Sequence, residues 1–155
     1  YPSLVFLVSD LIGKENIWDQ QQLNVRKKIM DWNTIIELRK NGVMFGAHSK
    51  THAHLSKIQA KELHSEIFEP KHVIEEKLKT SIDYFCYPYG DYDNKVIEEI
   101  RNAKYLAALS VHRGFVSKGD SLFDIKRVPV NLNTHPIAFI NKLHTDYEVR
   151  RGQRS

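Results

Sequence analysis

Apolar residues in this chain fall into two kinds of pattern, short unbroken runs and runs spaced at three to four residues. Ser3-Leu-Val-Phe-Leu-Val-Ser9 is unbroken and rich in strand formers, as expected for a strand buried on both faces of a parallel sheet. It predicts a first strand ending near Asp10. From Leu11 to Asp31 the chain is polar, with Gly13, a glutamine run and Trp18; this is too long for a simple connection and reads as a flap over one end of the sheet. Trp18 fits either packing or a substrate platform, and packing is the expectation because tryptophan is usually largely buried. A helix follows from Asn33 to about Lys40, carrying Ile35, Ile36 and Leu38 and ended by Asn41-Gly42. The apolar run that begins at Gly42 and breaks at Gly46 predicts a second strand.

The same alternation continues. Ser56-Lys-Ile-Gln59 has the form of a capping box, and Leu63, Ile67, Ile74 and Leu78 recur on one face of a long helix. Pro70 is expected to kink or divide that helix, since it removes a backbone donor and crowds the preceding turn. His64 and His72 lie in it with no partner spacing that argues for a metal. Ile82-Asp-Tyr-Phe-Cys-Tyr87 predicts a third strand, closed by Pro88-Tyr-Gly90. Asp93 or Asn94 caps a helix with Val96, Ile97 and Ile100, Tyr105 to Ser110 predicts a fourth strand, and Ile125 to Val130 a fifth. Pro136 suits the first residue of a last helix containing Ile137, Ile140 and Leu143. Strand and helix in strict alternation imply a parallel α/β fold, either an open doubly wound sheet or a barrel.

Length adds that 155 residues form one domain, and 41% apolar content is enough to give it a core. The formal charge of +4 and pI near 9.1 change little, because basic and acidic residues are mixed along the chain and do not mark one element for nucleic acid. The tail Val149-Arg-Arg-Gly-Gln-Arg-Ser155 is the exception, and a frayed polar terminus is its expected form. The single Cys86 excludes an internal disulfide and a cysteine-rich zinc module. No apolar run approaches the roughly 18 residues of a transmembrane helix. The chain starts with Tyr at the edge of a strand, which suggests that a segment upstream is missing.

Chemistry concentrates after the second strand, where His48, His52 and His54 follow Gly46 within a few residues. If the chain turns helically after Ala47, His48 and His52 share a face and can share a divalent metal. Neutral imidazole is a common ligand, and two from one turn need a carboxylate or another histidine from elsewhere. The spacing alone equally fits surface histidines. In parallel α/β folds, however, function gathers at the carboxyl ends of the strands, and both the histidines and the Pro88-Tyr-Gly90 turn fall there.

These residues together resemble the NodB-homology polysaccharide deacetylases, carbohydrate esterase family four. The family's His-Ser/Thr-x-x-His motif stands as His48-Ser49-Lys50-Thr51-His52, and its Phe-x-x-Pro-Tyr-Gly turn as Phe85-Cys86-Tyr87-Pro88-Tyr89-Gly90, followed by Asp91-Tyr92. Val5 to Gly13, Met30 to Asn33, Leu55-Ser56 and Arg127 to Val130 also match the family's spacing. The resemblance runs from Tyr1 to about Leu143. It implies an incomplete (β/α) barrel whose first strand and helix are absent, a partial deacetylase domain over residues 1–145, and a basic tail over 146–155.

The resemblance also implies an activity: metal-dependent removal of N-acetyl groups from a polysaccharide containing N-acetylglucosamine. A divalent metal, most simply Zn²⁺, would be held by His48 and His52 with Ser49 steadying their loop. The backbone N–H of Tyr89 would face the oxyanion, and Pro88, Tyr89 and Gly90 would border the substrate. The family's paired aspartates, which supply the base and the third ligand, should precede Tyr1. Neither Asp10 nor Asp19 fits them, so the chain by itself is expected to be inactive. The alternative is a non-catalytic pseudoenzyme or carbohydrate-binding module. Cys86 replaces an arginine found in many members, which points toward the exopolysaccharide, poly-N-acetylglucosamine branch; Arg127 is the candidate to take that arginine's part. His144 ends the last helix and is not expected to be the family's late histidine. The partner expected is an N-acetylated glycan, in an extracellular or cell-envelope setting, and not nucleic acid.

Overall fold

Five strands lie in one sheet in chain order, β1 (Leu4–Leu7), β2 (Met44–Ala47), β3 (Tyr84–Cys86), β4 (Ala107–Arg113) and β5 (Ile125–Arg127), with every neighbouring pair parallel. The computed structural model describes residues 2–18 and 26–152; Asp19, the glutamine run at 20–22 and Arg154 lie outside them. Helices α1 (Trp32–Lys40), α2 (Ala60–Leu78) and α3 (Asn94–Asn102) fill the first three crossovers, and α4 (Pro136–His144) and α5 (Tyr147–Gly152) follow β5. A doubly wound sheet reverses its order at a switch point. Here the order never reverses, so the winding is that of a barrel, and β1 and β5 do not pair, so the barrel is incomplete.

Alternation along the strands decides what is buried. Leu7, Phe45, Ala47, Phe85, Tyr87 and Ala108 face the helices and join Ile35, Leu63, Ile67, Ile74, Val96 and Ile100 in one core. Gly46 points the other way, where an added Cβ would stand 2.6 Å from Phe6 Cε1 and 2.7 Å from the Tyr84 carbonyl oxygen. The close approach of β1 and β3 around β2 therefore requires a residue without a side chain.

Several boundaries differ from expectation for identifiable reasons. The first strand stops at Leu7, because Ser9 and Asp10 give their N–H groups to the carbonyls of Ser49 and Lys50 in the histidine loop. Asp31 caps α1, its carboxylate accepting from Thr34 N at 2.9 Å, and Asp93 caps α3 through Val96 N at 2.9 Å. The capping box of α2 is not Ser56/Gln59: Gln59 is the N-cap, its N–H reaching Glu62 at 3.4 Å, and Ser56 bonds Asp91 instead. Nor does Pro70 divide α2, which runs unbroken from Ala60 to Leu78 with Pro70 buried inside it. The Tyr105 hydroxyl donates to the Ile67 carbonyl at 3.0 Å, tying the helix around Pro70 to the residues that lead into β4.

The tail is likewise not a frayed terminus as far as Gly152. It forms α5, and Glu148, fully buried, meets Lys142 of α4 and Arg113 of β4, the latter at 3.2 Å. Among the described residues no helix is long and apolar enough to cross a membrane.

Candidate metal and acyl-transfer site

The site grows out of the ends of β2 and β3. His48 leaves β2 with its N–H on the Leu7 carbonyl at 2.8 Å, and its ring Nδ1 stands 2.6 Å from the carbonyl oxygen of Cys86 at the end of β3. A carbonyl only accepts, so Nδ1 carries the proton and Nε2 keeps its lone pair. Burial holds His48 below the usual histidine range; the Cys86 hydrogen bond opposes this, and the positive charge of Arg127 reinforces it. The ring is thereby kept as a neutral donor, the form a metal requires.

His52 reaches the same place without a helical turn. Ser49 and His52 both take left-handed backbone, at φ 63° and 68°, so the chain doubles back where a helix was the conditional expectation. Ser49 is fully buried and its hydroxyl accepts the His52 N–H at 2.9 Å. This brings the two rings to 4.8 Å between centroids, edge to face.

The turn after β3 closes the site from the other side. Pro88–Gly90 is a single tight turn with Tyr89 at φ 58°, and the N–H groups of Gly90 and Asp91 return to the carbonyls of Tyr87 and Pro88 at 3.0 and 2.9 Å. The Tyr89 ring stands edge-on to His52 at 4.6 Å. Gly90 has φ +69°, and an added Cβ would fall 2.3 Å from Val111 Cγ2, so this turn is pressed against β4 as well as against the histidines.

His48, His52, Ser49 and the Pro88-Tyr89-Gly90 turn thus meet at one sheet edge. Arg127 lies at the end of β5, its Nε donating to the Ser110 carbonyl at 2.5 Å, and its charge is felt by His48 and Cys86. The Cys86 thiol is free and buried, and desolvation pushes its pKa up, as suits a packing residue rather than a nucleophile. His144 closes α4. For a metal, two imidazoles are the right donor type, and the tautomer of His48 presents Nε2. Among the described residues no group of three His, Cys, Asp or Glu side chains forms, so the donor set fits a divalent ion in part.

A family model described as polysaccharide deacetylase matches residues 2–108. The chain belongs to the polysaccharide deacetylase family. Deacetylases also share its fold. The Streptococcus pyogenes deacetylase PplD in complex with acetate superposes with a TM-score of 0.78 at 15% identity, over 92% of this chain and 59% of that one. A Bacillus cereus polysaccharide deacetylase gives 0.75 at 22% identity, over 92% and 42%. IcaB from Ammonifex degensii gives 0.71 at 18% identity, over 91% and 62%. The chain therefore spans roughly half of these structures' lengths. No curated protein matches it significantly in sequence.

Four further side chains, to none of which the sequence reading assigned a role there, border the candidate site. Trp18, expected to pack, stacks on His52 with centroids 4.4 Å apart. His54, next to the metal motif but outside it, stacks on Tyr89 at 4.1 Å. Asp91 accepts from Ser56 N at 2.9 Å and Ser56 Oγ at 2.6 Å, tying the turn to the histidine loop. Glu66 is buried in α2. Only Glu66 had left a clear signal: Leu63, Glu66, Ile67, Pro70 and Ile74 form the buried stripe of α2, and a carboxylate on an apolar stripe needs partners.

Proposed function

We propose that this site hydrolyses the N-acetyl amide of a polysaccharide containing N-acetylglucosamine, with His48 and His52 as two ligands of a divalent ion, zinc being the simplest choice for imidazoles. The observation that carries the reading is the meeting of His48, His52 and Tyr89 at one strand edge, with ring separations of 4.8 and 4.6 Å. When bound, the ion supplies Lewis-acid polarisation of the acetyl carbonyl and acidifies water. The chain's own residues do the rest of the arranging. Cys86 fixes the His48 tautomer through its carbonyl, and Ser49 fixes the backbone of His52.

Tyr89 is given the oxyanion role through its backbone N–H, held in a turn whose neighbouring amides are already fixed. Such a donor acts by being in place before charge develops, and removing one from a comparable site costs about 10² to 10³ in rate. Arg127 adds positive charge near His48 and takes the orienting part that an arginine at the Cys86 position would play. Trp18 and Tyr89 flank His52 and offer aromatic faces beside it to a sugar. The base and third ligand are aspartates that the sequence does not contain as a pair.

The test is acetate release from N-acetylglucosamine oligomers by the protein in its full encoded length, with zinc, and then by His48→Ala. Release should fall to background in the variant, and undiminished release would refute the metal role. Zinc titration of the present chain should show weak binding that the His48→Ala, His52→Ala double variant lacks. A protein that binds the oligomer but releases no acetate at its full length would be a carbohydrate-binding module on the deacetylase scaffold.

A further inference from the structure

The loop between the two histidines is short, strained and polar, and helix α2 and the residues just after β1 take up its backbone groups. Ser49 and His52 are left-handed, a conformation that costs a non-glycine residue of order 1–3 kcal/mol unless its surroundings enforce it. The Ser49 and Lys50 carbonyls accept from Ser9 N at 3.3 Å and Asp10 N at 3.1 Å. The His52 N–H is taken by Ser49. The amides of Lys50 and Thr51 both point at one oxygen, Glu66 Oε2, each at 3.0 Å, and the Thr51 hydroxyl donates to Oε1 at 2.7 Å. Glu66 is 7% exposed, and a carboxylate is brought into an apolar helix face only where its oxygens are met by donors.

We infer that Glu66 is the positioning residue of the paired imidazoles: its carboxylate, rooted in α2, holds Lys50 and Thr51 so that His48 and His52 converge. It touches neither ring. It acts by closing the loop whose two ends carry them, with one oxygen on two successive amides. The geometry accounts for a carboxylate here in preference to a hydroxyl, since only a side chain with two acceptor oxygens can take both amides on one and the threonine on the other. The inference rests on the reading that His48 and His52 work as a pair.

The decisive measurement is the ¹⁵N spectrum of the histidine rings, which requires no metal. In the wild type His48 should show a single tautomer with Nδ1 protonated. Glu66→Ala should give mixed tautomers and altered shifts for His48 and His52, and Glu66→Gln, whose amide oxygen still accepts both N–H groups while its NH2 can only donate to a turned Thr51 hydroxyl, should bring the signals most of the way back. A merely structural role would lower the melting temperature of Glu66→Ala while leaving the ring signals of the folded protein unchanged, and that result would overturn the inference. If Glu66→Ala does not fold, Thr51→Val decides, because it removes only the hydroxyl bond; it should move the same signals in the same direction by less, and unmoved signals would refute the inference. Zinc alone is the second probe, with affinity expected to fall about 10- to 100-fold in Glu66→Ala. A wild type that binds no zinc would sink the metal role while the ring spectra still rule on Glu66. Wild-type zinc affinity in Glu66→Ala, together with unchanged rings, would sink Glu66 alone.

Discussion

The part of the chain up to the start of β4 and the part beyond it are held together by different forces. In the first, Ile35, Ile67, Phe85 and Ile100 are completely buried in one core shared by three helices and the sheet. In the second, Ile137, Ile140 and Leu143 of α4 are 68%, 55% and 49% exposed, and the end of the chain is fastened by Glu148 between Arg113 and Lys142. Burial fixes position through many weak contacts spread over a surface. A single ion-pair cluster fixes one point. The left-handed loop and the tight turn of the candidate site both grow from the first part, where the framework around them cannot yield.

The largest effect that separates the two parts should come from a pair of truncations. Phe85→Ala removes a fully buried ring from the core and is expected to cost about 3–5 kcal/mol in urea unfolding. Ile137→Ala, on the exposed face of α4, should stay within about 0.5 kcal/mol. Equal losses would mean that α4 is packed as firmly as the core and would erase the distinction.

Next in size is the fastening itself. Glu148→Ala leaves Lys142 and Arg113 facing a buried gap, and breaking a buried pair costs about 3 kcal/mol. The loss should be local: amide exchange should rise across α4 and α5 and stay unchanged in β1 to β3. The same cluster has a pH signature. Burial alone would raise the Glu148 pKa, but the hydrogen bond and charge of Lys142, with Arg113, outweigh it and hold the carboxyl below the usual glutamate range. A depressed folded pKa contributes stability that is fully present above the unfolded value, about 4.3, and is lost as pH falls through the folded value. Acidification below about pH 4 should therefore release α4 and α5 in the wild type, and Glu148→Gln should lose that dependence. Fast exchange in α4 and α5 of the wild type at neutral pH would break this account.

An intermediate effect is expected at Gly46, where a methyl group would meet the Phe6 ring and the Tyr84 carbonyl inside 3 Å. Gly46→Ala should cost about 1–3 kcal/mol, as overpacking does, and should widen the β1–β2–β3 spacing beneath His48. A neutral substitution there would show that the strands carrying the site are looser than the core around them.

What the chain's pattern discloses follows the same division. Continuous runs and capped amphipathic repeats announced β1 to β5 and α1 to α4 in the right order, because apolar periodicity is what burial acts on. The barrel winding was not in the pattern, since both windings share one alternation of elements and only strand order separates them. Helix α5 was missed because its anchor is one acidic residue, Glu148, in a basic tail, and an ion pair leaves no periodicity. At the site, the histidines and the proline turn were visible as motifs. The means by which they meet was not: Ser49 and His52 adopt backbone that their residue types do not favour, the carboxylate that holds their loop is Glu66, 15 residues beyond Thr51, and the one that ties the turn to Ser56 is Asp91, 35 residues further on than Ser56.

The smallest effect should be found at His54, on the rim of the packed part. Its ring lies on Tyr89 at 4.1 Å, and its Nδ1 is 3.9 Å from Asp91 Oδ2, with the side chain 43% exposed. A stacked pair contributes about 0.5–1.5 kcal/mol beyond burial, and exposure puts this one at the low end. His54→Ala should therefore cost less than about 1 kcal/mol in unfolding, comparable with a change on α4, although it stands beside the candidate site. Its consequence should appear instead in Tyr89, whose ring signals should broaden as a stacked aromatic neighbour is lost, and His54→Phe should restore them. If His54→Ala costs as much as Gly46→Ala, the rim is part of the rigid framework. If Tyr89 does not respond at all, the turn is held to the histidine loop without His54, through contacts that include the Ser56–Asp91 bonds and the His52 ring, and His54 covers it.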